Sequence, residues 1–95
     1  MANNQPSLST LEQNLLRFAM ANDGRFAISA AQLRQAITTG SVDAPGKGPF
    51  SKSTALLEIL EVKERLTGVS LPEEVGLARQ IVEAKLAQVK GSLGN

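Results

Sequence analysis

At 95 residues the chain is long enough for one domain with a limited core. Its formal net charge of +1 gives no bulk attraction for nucleic acid, anionic membrane or acidic ligands. Cys, His, Tyr and Trp are absent, which removes disulfides, thiolate metal sites and the commonest general base, and three Phe are too few for a base-stacking platform. No apolar run reaches the roughly 20 residues that a membrane span needs, and the N-terminus lacks the basic start and apolar core of a secretory signal. A cytoplasmic location is therefore expected.

Residues 1–9, MANNQPSLS, are uncharged and rich in Asn, Gln and Ser, and read as a flexible tail. A first helix is predicted over residues 10–22. Ser9 and Glu12 have the spacing of a capping box, and Leu11, Leu15, Phe18 and Ala19 line one face, with Leu16 widening it. Asn22-Asp23-Gly24 is a strong stop. The second helix has the clearest local start. Ser29 and Gln32 form another capping box, and Ile28 and Leu33 are placed for a hydrophobic staple. That helix runs to about residue 38, with Leu33, Ala36 and Ile37 inward and Gly40 as the breaker.

Residues 40–50, GSVDAPGKGPF, hold Gly40, Gly46 and Gly48 together with Pro45 and Pro49. They cannot continue a helix and show no strand alternation, and they read as a mobile linker or, as the alternative, an ordered loop pinned by Val42 and Phe50. A third helix is predicted over residues 52–67, capped by Ser51 or Ser53 and closed by Gly68. Ala55, Ile59, Val62 and Leu66 share a face, with Leu56 and Leu60 beside it and Glu58, Glu61, Glu64 and Arg65 opposite. Leu57 falls on the charged side and is a candidate exposed apolar residue.

The stretch 70–91 carries the longest helical pattern. Ser70 is the candidate N-cap, with Glu73 completing a capping box, Pro72 in the first turn and Gly91 as the stop. Leu71, Val75, Ala78, Val82, Leu86 and Val89 recur at steps of three and four, in one narrow stripe expected to enter the core. Leu77 and Ile81 lie to one side of it. With Leu57 they are the predicted partner interface.

Three motifs invite chemistry. Residues 46–53, GKGPFSKS, resemble a phosphate-binding loop only loosely, because Ser51 replaces the second glycine and no strand is read upstream. Lys47, Ser51, Lys52 and Ser53 remain as a candidate anion or phosphate contact at a helix start. Helix 30–38 or the start of helix 52–67 offers a route to DNA, but the second and third helices are too far apart for a helix-turn-helix. The carboxylates, Glu58, Glu61 and Glu64 with Glu73 and Glu74, have capping or solvent-face roles, and no catalytic residue, metal ligand or cofactor site is assigned.

The expected fold is all-α, a single domain over residues 10–95. It comprises a first helix pair (10–39), a Gly/Pro-rich loop (40–50) and a second pair (51–91), giving two helical hairpins. The expected function is a non-catalytic protein-interaction module acting through the C-terminal helix, as an adaptor, assembly subunit or regulatory inhibitor that binds a protein partner or itself. The runners-up are a small DNA-binding regulator and a subunit of a phage or secretion assembly. Neither a membrane nor a small-molecule substrate is called for.

Overall fold

A computed structural model describes residues 8–93 of the chain, with side chains through Val89. Four helices, α1 (Thr10–Ala21), α2 (Ala30–Thr39), α3 (Lys52–Thr67) and α4 (Pro72–Leu93), account for most of it. Between α2 and α3 lie two strands, β1 (Ser41–Ala44) and β2 (Gly48–Ser51), paired antiparallel with Val42 opposite Phe50 and Asp43 opposite Pro49. The chain is mostly helical but mixed, which corrects the all-α expectation. Of the tail expected over residues 1–9, only Leu8 and Ser9 fall within the described residues.

The local signals act as their chemistry requires. The Ser9 hydroxyl accepts from the Glu12 N–H and the Glu12 carboxylate accepts from the Ser9 N–H, while Ser29 and Gln32 repeat the exchange at α2. Ile28 and Leu33, the staple pair, are both buried. The Ser51 hydroxyl caps α3 by accepting from the Thr54 N–H, and Gly68 closes the helix in the left-handed region at φ 73°.

Residues 40–51 fold into the hairpin because Pro45 and Gly46 make a tight turn. The Lys47 N–H donates to the Ala44 carbonyl at 2.9 Å, and Gly46 takes φ 81°, the positive value wanted at the third position of a type II turn. Alternation is present after all, over four residues: Val42 and Ala44 are buried while Ser41 and Asp43 are exposed. Pro49, which cannot donate, is tolerated because a two-stranded ribbon has an open edge. The Lys52 N–H closes the base of the hairpin on the Gly40 carbonyl.

One core joins α1, α2, β1 and α3, with Leu15, Leu33, Ile37 and Ile59 almost fully enclosed. Phe18 and Phe26 pack edge to face at 6.4 Å beside it. Two carboxylates fasten the α1–α2 connection: Glu58 of α3 accepts from the Ala27 N–H at 2.8 Å, and Asp23 accepts from the Ala30 N–H at 3.0 Å. The fourth helix meets this body along α3.

Candidate functional site

The start of α4 differs by one residue from the sequence expectation. With Pro72 as the first helical residue, Leu71 takes the cap position and Glu74, not Glu73, is the third helical residue. The Glu74 carboxylate accepts from the Leu71 N–H at 3.0 Å and receives the Lys63 ammonium of α3 in an ion pair. Glu74 is only 5% exposed, so its charge is held by two directed partners in place of water. Ser70, freed from capping, donates instead to Glu64. These bonds set the angle at which α4 leaves α3. Its far end runs past Gly91 to Leu93.

Which side of α4 enters the body is decided by Ile81, which is 6% exposed and belongs to the core, with Leu77 and Ala78 packed against it. Apart from Ala78, the described stripe expected to be core faces outward. Val75, Val82, Leu86 and Val89 are 44%, 45%, 58% and 52% exposed, and Leu71, Leu66 and Val69 continue the apolar surface around the α3–α4 corner. The physical reason is that α4 carries two apolar faces about 115° apart at about 100° per residue, and a single neighbouring helix can cover only one. The face turned to the body is the one that carries Leu77 and Ile81.

A groove of about 300 Å³ runs beside this stripe, floored by Leu57, Leu60, Val75 and Ala78 and rimmed by Glu61 and Glu64. Leu57, expected on the charged face, is half-buried and packs against the core while still lining the groove. Of the three residues predicted as a partner interface, then, Ile81 and Leu77 lie on the intramolecular side of α4 and Leu57 lies at its border.

Of the four candidate anion-binding residues, only Ser51 and Ser53 are brought to one depression. Lys47 sits in the hairpin turn, about 13 Å along the chain from Ser51 at the base. The Ser51 hydroxyl is engaged in the cap, and Lys52 pairs with Glu12 of α1 at 3.0 Å. Ser53 is exposed and lines, together with Ser51, a depression that Lys85 also borders. Burial opposes the charge of Glu12, but the Ser9 N–H and the Lys52 ammonium outweigh it and hold the carboxyl below its usual range. On α2, Gln32 is committed to its capping box, leaving Arg34 and Gln35 exposed.

What the arrangement offers is an apolar strip with an acidic rim, able to shed water onto an apolar partner. Among the described residues no helix is long and apolar enough to cross a membrane, and no group of three or more His, Cys, Asp or Glu is placed to hold a metal ion. Comparison with protein-family models, curated proteins and solved structures finds no match.

Proposed function

We propose that the protein is a non-catalytic interaction module, an adaptor, assembly subunit or inhibitor, whose binding surface is the outer stripe of α4 together with the α3–α4 groove. One observation carries this reading: a helix of 22 residues presents a regular apolar stripe to solvent while a different face holds it to the body. Large apolar side chains scattered singly over a surface need no explanation, but a continuous row along one helix marks a contact awaiting a partner. The helix-in-groove mode, in which apolar anchors recur at steps of three and four, uses this kind of surface.

The test is to replace Val82 and Leu86 together by Gln and compare the variant with the wild type in a pull-down from the source cell. The expected result is an unchanged thermal midpoint with loss of the proteins that the wild type retains. Equal retention by both would overturn the reading.

A further inference from the structure

We infer that the partner of the α4 stripe is a second copy of this chain, docked antiparallel about a twofold axis through Val82. The inference rests on the stripe being a contact surface, and it names the occupant. The first ground is register. Val75 and Val89 lie seven residues either side of Val82, and Ala78 and Leu86 lie four either side. Two such helices laid antiparallel with Val82 on the axis put Val75 opposite Val89, Ala78 opposite Leu86 and Val82 opposite its own copy. The exposed members Val75, Val82 and Val89 then meet one another, and Leu86 packs over the outer edge of Ala78, which is half-buried against the core. A twofold contact requires this self-complementarity, in which residue i meets j and j meets i.

The second ground is charge. Arg79 and Glu83 are exposed on the flank of the stripe away from α3. In the antiparallel pair each flank meets its own copy: Arg79 falls within about 3 Å of the level of Glu83 on the other chain, and the two Glu83 fall within about 3 Å of each other's level. By symmetry the opposite-charge contact occurs twice and the Glu83–Glu83 contact once, so attraction outnumbers repulsion on this flank. The other flank carries Lys85, close enough to α3 to reach the Thr54 hydroxyl at 3.3 Å. The axis brings Lys85 of the second copy to the level of Ala78 and Arg79, where Glu61 rims the groove beside Ala78. Basic flanks thus meet acidic rims on both sides of the apolar seam. A parallel pair would instead align the two helix dipoles and bring the exposed Glu73 of each first turn to the same level.

The absence of Cys makes the test direct, since any introduced thiol is the only one. Val82→Cys, Val75→Cys and Val89→Cys are each made in the full chain, at positions where the side chain is exposed. A disulfide needs Cβ atoms about 3.5–4.5 Å apart. Mild oxidation should link Val82→Cys to itself, leave Val75→Cys and Val89→Cys unlinked when each is alone, and link those two when they are mixed. Light scattering on the wild type should show the mass doubling as concentration rises, while the Val82→Gln/Leu86→Gln variant stays at monomer mass. A wild type that remains monomeric at every concentration would overturn the inference, as would Val75→Cys linking to itself as readily as Val82→Cys. If the wild type is monomeric but the pull-down still depends on Val82 and Leu86, the interaction surface stands and only its self-pairing falls.

Discussion

The body formed by α1, α2, the hairpin and α3 and the long helix α4 solve the same burial problem in opposite ways. In the body, each element turns its apolar face inward and Leu15, Leu33, Ile37 and Ile59 are sealed off. Among the described residues, α4 contributes one side chain, Ile81, to the buried core cluster, and most of its larger apolar surface faces out. Hydrophobic patterning therefore carries two meanings within one chain. In α1 to α3 it records where the domain closes on itself. Along α4 it records both an attachment and a surface left open.

The largest test of this contrast pairs Leu33→Ala with Ile81→Ala. Truncating Leu33 should cost about 2–5 kcal/mol, because a cavity opens in the closed body, and the whole unfolding transition should move to lower temperature. The Ile81 change should act locally. Hydrogen exchange should speed up along α4 while the amides of α1 to α3 keep their protection. Uniform loss of protection in the Ile81 variant would show that α4 is as integral as the body.

A smaller effect is expected at Gly76, which lies inside α4 with open space where a Cβ would stand. Gly76→Ala should stabilise the helix by about 0.5–1 kcal/mol, read as slower amide exchange in α4, because the glycine there serves no packing role. Destabilisation would mean that something approaches the helix closely at that point.

The smallest concerns the body's own surface, where Glu12 ties α1 to Lys52. The folded-state pKa of Glu12 lies below its unfolded value, so the stabilisation is present above the unfolded pKa and lost as pH falls through the folded one. Glu12→Gln keeps an acceptor for the Ser9 N–H but loses the ion pair. The stability difference between wild type and variant should be below about 1 kcal/mol at neutral pH, shrink with added salt and vanish in acid. A difference that persists at low pH would assign it to packing.

How far the sequence is legible follows from the range of each interaction. The caps at Ser9, Ser29 and Ser51 and the stops at Gly40 and Gly68 can be read because each is settled within a turn of its own residue. The hairpin is harder to read. Pro45-Gly46 is a turn signal, but a strand of four residues gives period two almost no room to show, and five Gly and Pro residues obscure it. At α4, Pro72 displaces the cap from Ser70 to Leu71, and the partner that confirms it, Lys63, is eleven residues away. The stripe poses a different problem. Its periodicity specifies a helix with an apolar face, but whether that face meets α3 or lies bare depends on Ile81 and Leu77 competing for the same neighbour. That competition is settled only in three dimensions.

The order of elements along the chain has a consequence for how the protein is made. From α1 through α3, successive elements are also spatial neighbours, joined by short connections, and they hold every described buried apolar core residue except Ile81. Synthesis proceeds from the N-terminus, so the elements of this body leave the ribosome ahead of α4, and their largely local contacts favour rapid closure. The outer stripe of α4 follows them out. It has little opportunity to compete for the core during folding, which shields the nascent chain from its own most exposed apolar row.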